Sequence, residues 1–173
     1  MRIDCGVCVI RSYRHDDIDA LVTHADNPNV ARYMTSRFPS PYTVAEGRKW
    51  IGHCMDIDLP EENFAIEYKG RYAGGIGFRR LQLDYLYTAE FGYWLGEAVW
   101  GKGIATAAIR GFLPWVFENT NLERLQAHVF ALNAASRRVL DKAGLTFEGT
   151  HRRHIFKDGT FYDGHLLAKL RSE

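Results

Sequence analysis

The stretch from Glu90 to Gly111 constrains this chain more than any other: Glu90-Phe91-Gly92-Tyr93-Trp94-Leu95, then Gly96 to Gly103, then Ile104-Ala105-Thr106-Ala107-Ala108. An aromatic strand gives way to a glycine-spaced turn, and the turn opens directly into an alanine-rich helix. A strand, a turn and a helix N-terminus in series form a device for holding phosphate. The first backbone N–H groups of the helix have no partner within it, and the dipole places partial positive charge there. Glycine at positions 101 and 103 lets an anion approach the backbone without meeting a Cβ. The spacing is neither that of a P-loop nor that of a dinucleotide fingerprint. Taken alone, Gly101-Lys102-Gly103 fits an ordinary strand–turn–helix as well as a site.

The rest of the chain reads as a mixed α/β domain. Cys8 to Tyr13 has strand character, and Asp16, Asp17 and Asp19 open a helix with Ile18, Leu21, Val22 and Ala25 on one face. Asn27-Pro28-Asn29 breaks it, and Val30 to Met34 reads as a further helical turn. Phe38-Pro39-Ser40-Pro41-Tyr42 is a stiff aromatic loop, either a pocket wall or a connector. Thr43 and Glu46 form a capping box for a helix carrying Trp50, Ile51, Cys54 and Met55. After Leu59-Pro60, strands are expected over Asn63–Tyr68, Tyr72–Leu83 and Thr88–Leu95, with a tight turn at Lys69-Gly70. Gly74, Gly75 and Gly77 inside the middle strand signal a bulge or the close approach of another group.

The helix from Gly103 to Glu118 should bury Ile104, Ala107, Ala108, Phe112, Trp115 and Val116, and Pro114 should kink or shorten it. A strand over Leu122–Phe130 follows. Asn133 caps a helix that Gly144 ends, and strands over Leu145–Arg152 and Phe161–Leu170 close the chain around Asp158-Gly159. Three strands feeding a strand–helix–strand unit give a largely antiparallel central sheet with flanking helices in a single domain, residues 1–173.

At 173 residues with a formal net charge of +1, nothing global points to nucleic acid or an anionic membrane. No run of about 18 apolar residues occurs, so no membrane partner and a cytoplasmic location are expected. Cys5 and Cys8 make a C-x-x-C without a second pair to complete a metal site, and together with Cys54 they read as reduced thiols. Strand alternation puts His151 and His154 on opposite faces, so the seven histidines show no metal pattern.

Two motifs together narrow the reading. Trp100-Gly101-Lys102-Gly103-Ile104-Ala105-Thr106 after Glu90 to Leu95, and Asn133-Ala134-Ala135-Ser136-Arg137-Arg138-Val139-Leu140-Asp141-Lys142-Ala143-Gly144 downstream, resemble the two motifs of the GNAT N-acetyltransferases. They are most similar to the RimJ/RimL-like branch, which acetylates protein N-termini and related amines, and Gly159 to Asp163 fits that branch's end. The chain departs from the pattern at Ala107, where the branch usually has an acidic residue. Trp100 stands where the wider family has Gln or Arg.

The resemblance implies a GNAT-like fold, acetyl-coenzyme A as co-substrate, no metal, and an amine acceptor. It implies that N–H groups over Gly101, Lys102, Gly103, Ile104, Ala105 and Thr106 hold the pyrophosphate. The backbone of Tyr93, Trp94 and Leu95 would pair with the pantetheine amides as an added strand. Asn133 and Ser136 would meet the pantetheine arm. Lys142 would reach a phosphate or stand as a solvated helix charge. Glu90 is the expected base, or else a strand-edge carboxylate paired with an Arg. Ser136 is the expected acid, or else part of a local cap, with Tyr162 as a further choice. A backbone N–H near Trp94 or Leu95 would receive the developing oxyanion.

The acceptor is a protein N-terminal α-amine or a small amine such as a polyamine, amino acid or aminoglycoside. A basic rim from Arg37, Arg152 and Arg153 would suit a carboxylate-bearing acceptor, and the acids Asp56, Asp58, Glu61 and Glu62 a cationic one. A homodimer is compatible with the sequence. The rival readings are a non-catalytic acyl-coenzyme A sensor and another kind of nucleotide-binding α/β protein.

Overall fold

The computed structural model describes every residue except Ile57, Leu59 and Glu61. In chain order the elements are β1 (Arg2–Asp4), β2 (Val9–Arg11), α1 (Ile18–Ala25), α2 (Pro28–Ala31), α3 (Val44–Cys54), β3 (Asn63–Tyr68) and β4 (Arg71–Arg80). There follow β5 (Thr88–Leu95), α4 (Ile104–Asn119), β6 (Arg124–Phe130), α5 (Ala134–Lys142), β7 (Thr146–Lys157) and β8 (Thr160–Leu170). The strands lie in the order β1-β2-β3-β4-β5-β6-β8-β7. Of the pairings described, only β5 with β6 is parallel. The expected mixed, largely antiparallel sheet with flanking helices is therefore what forms. The chain divides into two compact units, Met1–Gly77 with Tyr93–Ala108, and Phe78–Gly92 with Ile109–Glu173.

In the first unit, α1 and α3 cover the sheet through Leu21, Ala25 and Ile51, which pack with Tyr13, Tyr42, Ala65 and Tyr72. Gly47 on α3 makes this possible, because a Cβ there would stand 3.0 Å from Val22 Cγ2. Phe38 packs on Tyr42 and edge-on against Trp94, with ring centroids 5.1 and 5.4 Å away, so the proline-flanked loop is tied to the core. Thr43 Oγ1 accepts the Glu46 N–H, as its capping role requires.

All three glycines expected to mark close approach do so. Gly74 lies against the Trp94 carbonyl, a Cβ at Gly75 would stand 2.7 Å from Tyr13 Oη, and one at Gly77 would stand 2.5 Å from Asn63 Oδ1. The pairing of β3 with β4 also shifts register between Ile66 and Glu67.

Asp17 departs from expectation. It does not serve the dipole of a solvated helix end but is buried, pairing bidentately with Arg11 at 2.7 and 2.8 Å. Its Oδ2 also accepts the Arg14 N–H. Arg11 Nε donates to Glu67 at 2.6 Å as well, so one buried guanidinium joins β2, the start of α1 and β3. Strand β1 was not expected at all. Its three residues carry no period of their own and are held by pairing Arg2 to Arg11 and Asp4 to Val9.

In the second unit, α4 runs through Pro114 without ending, which corrects the expected shortening. Both Pro114 and Arg110 are exposed, so the carbonyl that loses its helical partner stands on the solvent side. The buried stripe is Ile104, Ala108, Ile109, Phe112, Leu113, Val116 and Phe117, while Ala107 and Trp115 are only half-buried. Asn133 Oδ1 accepts the Ser136 N–H, and Gly144 takes φ 90° after α5, both as expected. Strand β7 runs past the expected end at Arg152 to Lys157, with a bulge between His151 and Ile155. Among the described residues no helix is long and apolar enough to cross a membrane.

Arg11→Met would leave Asp17 and Glu67 facing each other without their shared cation. It should lower stability by about 3–5 kcal/mol, read from the shift in urea midpoint. A loss well under 1 kcal/mol would mean that the guanidinium does not hold these elements.

Candidate functional site

The glycine turn of the first unit has the geometry that phosphate binding needs. Gly101 and Gly103 take φ 74° and 76°, a left-handed conformation that side chains strain to adopt. No atom lies within 4 Å of where a Cβ would stand on either. The first helical bond of α4 runs from the Ala107 N–H to the Gly103 carbonyl. The N–H groups of Ile104, Ala105 and Thr106 therefore precede any intrahelical acceptor and project from the positive end of a 16-residue helix. Ile104 itself is buried and anchors the turn. Lys102 folds back on the turn, its ammonium donating to the Ala98 carbonyl at 2.9 Å and lying 5.7 Å from the centre of the Tyr68 ring. A pyrophosphate fits this cradle of open glycines and leading N–H groups.

The backbone rail is narrower than the sequence suggests. The Gly96 N–H donates to the Ala73 carbonyl, and the Trp94 carbonyl lies against Gly74, so both residues face β4. Period-two alternation turns Tyr93 and Leu95 to the opposite edge. The Leu95 carbonyl there already accepts the Trp100 indole N–H at 2.8 Å. Of Trp94 and Leu95, the two residues expected to offer an oxyanion donor, Leu95 is the one whose N–H faces that edge.

The second unit carries the expected acid–base residues. Glu90 is the last β5 residue in parallel register with β6, opposite Gln126. Its Oε2 accepts from Arg79 Nη2 at 2.6 Å, and its Oε1 stands 3.4 Å from His128 Nδ1. The carboxylate is thus arginine-paired, the structural alternative read from sequence, and it also touches an imidazole. Burial pushes the His128 pKa below its usual value; the neighbouring His154 and His151 add to this, and Glu90 opposes it. His128 is accordingly neutral at pH 7. Ser136 sits half-buried in the first turn of α5, where Asn133 caps its N–H. Lys142 is exposed at the end of α5, with its carbonyl accepting from Arg110 Nε at 3.1 Å. Tyr162 packs edge-on against Phe130 at 5.5 Å.

Arg37 is exposed in the first unit, and Arg152 and Arg153 are exposed in the second, with the Arg153 guanidinium 4.7 Å from the centre of the Phe161 ring. Asp56 and Asp58 are exposed, and Glu61 of the expected acidic cluster lies outside the described residues. The three cysteines are free thiols. Cys8 is buried with Sγ 3.7 Å from the Ile104 carbonyl, and its hydrogen bond with Cys5, followed by burial, pushes its pKa up.

One expectation is overturned. His151 and His154 do not lie on opposite faces: their ring centroids are 5.0 Å apart, and those of His128 lie 5.4 and 5.3 Å from them. The alternation rule assumes an unbroken strand, whereas β7 spends four steps from His151 to Ile155 against two on β8, with Arg153 at φ 52°. A non-glycine left-handed residue leaves little local signal, although the basic, polar run Thr150 to His154 was a weak strand former that could have hinted at a break.

Glu90→Gln removes the one group that raises the His128 pKa, so His128 should titrate at lower pH than in the parent chain. Imidazole resonances followed by NMR across pH 4–8 check this; an unchanged or raised value would mean that the Glu90 charge does not act on the ring.

Residues 8–146 match the family model "Acetyltransferase (GNAT) domain". The chain is 36% identical over 136 residues to the probable N-acetyltransferase YjcK of Bacillus subtilis, covering 76% of this chain and 75% of that one. Among solved structures, Mycobacterium smegmatis RimJ in complex with a coenzyme A disulfide superposes with a TM-score of 0.85 at 26% identity, covering 99% of this chain and 85% of the other. The Salmonella typhimurium acetyltransferase that modifies the N-terminal serine of ribosomal protein L7/L12 shares the fold at a TM-score of 0.82 and 18% identity, over 98% and 99%. The phosphate turn, the capped second helix and these likenesses converge: the chain belongs to the GNAT family and is an acetyl-coenzyme A-dependent N-acetyltransferase.

Proposed function

We propose that residues 1–173 act as one N-acetyltransferase domain whose acceptor is a protein N-terminal α-amine. The observation that carries the acceptor is the likeness to RimJ, at 26% identity over 99% of this chain. The N-terminal serine substrate of the more distant Salmonella typhimurium enzyme points the same way. Acetyl-coenzyme A would supply the acetyl thioester. Gly101 to Thr106 would bind its pyrophosphate through backbone N–H groups, and Tyr93 and Leu95 would orient its pantetheine arm, with Asn133, Ser136 and Lys142 serving the same co-substrate.

The amine must lose a proton to react. An α-amine has a pKa of about 8 against about 10.4 for lysine, so at neutral pH it asks little of a base. A carboxylate such as Glu90, held by Arg79 and His128, suits this modest task. Ser136 Oγ is the proposed proton donor to the departing thiolate, with Tyr162 as the alternative.

Acceptor-dependent release of free thiol from acetyl-coenzyme A tests the reading. Peptides with free N-termini should be turned over, and the same peptides with blocked N-termini should not, even when they contain lysine. Turnover confined to polyamines, amino acids or aminoglycosides would replace the acceptor. Binding without turnover across the whole panel would favour a sensor.

Gly103→Val forces a β-branched side chain into φ 76° and into the phosphate approach. It should weaken coenzyme A binding at least tenfold by calorimetry and cost about 1–2 kcal/mol of stability. Undiminished binding would remove the turn from the site.

A further inference from the structure

The reaction proposed above uses none of the three clustered histidines as a ligand, yet their geometry is that of a ligand set. His128 on β6 pairs in register with Leu166 of β8, and His151 on β7 pairs with Gly164 of the same strand. Residues 164 and 166 share a face of β8, so His128 and His151 rise on that face from either side of the strand. Gly164 between them carries no side chain. A Cβ there would stand 3.4 Å from Ile155 Cδ1 and 3.7 Å from His154 Cδ2, so the bulge brings both side chains over the glycine. The bulge is fixed by the Arg153 N–H donating to Asp163 Oδ1 at 2.7 Å. One nitrogen from each ring lies within 4.8 Å of the other two.

We propose that His128, His151 and His154 form a three-histidine site for a divalent zinc ion, with a fourth position left for water or another small ligand. Imidazole nitrogens bind zinc at about 2.0–2.1 Å, which in a tetrahedron places them about 3.4 Å apart. The present spacing closes to that value by side-chain rotation, and His154 is exposed enough to turn. Glu90 supplies the usual outer partner: its carboxylate faces His128 Nδ1, which fixes that ring and leaves Nε2 for the metal. Of the nearby cations, Arg79 is paired with Glu90 and the Arg153 guanidinium lies against the Phe161 ring. A soft thiolate site would draw on Cys5 and Cys8, which belong to the first unit and provide the internal control.

The test uses the untagged chain, because a polyhistidine tag would bind the same ion. Equilibrium dialysis against zinc chloride should give one ion per chain. H154Q, a change at an exposed position that spares the fold, should weaken binding at least tenfold, and C5S/C8S should leave it unchanged. Cobalt(II) loading should produce the visible d–d absorption of a tetrahedral centre, absent in H154Q. Unchanged zinc affinity in H154Q, loss of binding in C5S/C8S instead, or no stoichiometric binding by the parent chain would each overturn the site.

Discussion

The contact between Gly74 and the Trp94 carbonyl decides how the first unit works. A side chain at position 74 would occupy the space that the carbonyl needs, so β4 must carry glycine where β5 comes closest. Once Trp94 faces β4, the alternation of the strand leaves Tyr93 and Leu95 to the other edge. Gly75 and Gly77 extend the same accommodation toward Tyr13 and Asn63. Three residues with no side chain thus do what a large residue usually does in a core, fixing the position of a neighbour, but by yielding space to it.

That orientation gives the turn after β5 its meaning. Trp100 closes back on the Leu95 carbonyl, and the chain then passes through two left-handed glycines into α4. The helix is anchored by its buried apolar stripe, and its leading N–H groups and the two glycines before it are left open to an anion. The proposed binding surface would be main chain almost throughout. Side-chain identity at Lys102 or Ala107 matters less than the conformation around it, which is why departure from the family pattern at Ala107 leaves the cradle intact.

What could be read from sequence was what local chemistry writes. The turns Lys69-Gly70 and Asp158-Gly159 both take paired positive φ, and Thr43, Asn133 and Gly144 cap where capping residues should. The glycine turn and the second motif were legible because each is a short run with fixed spacing. What escaped depends on partners far along the chain. Strand β1 exists only through β2, and Asp17 is a buried ion-pair partner only because Arg11 and Glu67 converge there. The helix ran through Pro114 because that residue faces solvent, a fact fixed by the whole stripe and not by the proline. The histidine cluster escaped for a related reason: its chemistry is spelled by residue type, but its geometry is set by one left-handed arginine.

The bulge in β7 makes the cluster a matter of chain length. Four steps on one strand answer two on its neighbour, so the surplus is even and the residues on either side keep their faces. Deleting both surplus residues would leave the hairpin paired and the sheet sound while removing the loop that carries His154. Deleting only one would reverse the faces of Ile155 to Lys157 against β8. Insertion or deletion here would thus move or dissolve the cluster as a whole, whereas the exchange of one side chain would leave the hairpin paired and cost only the ligand exchanged.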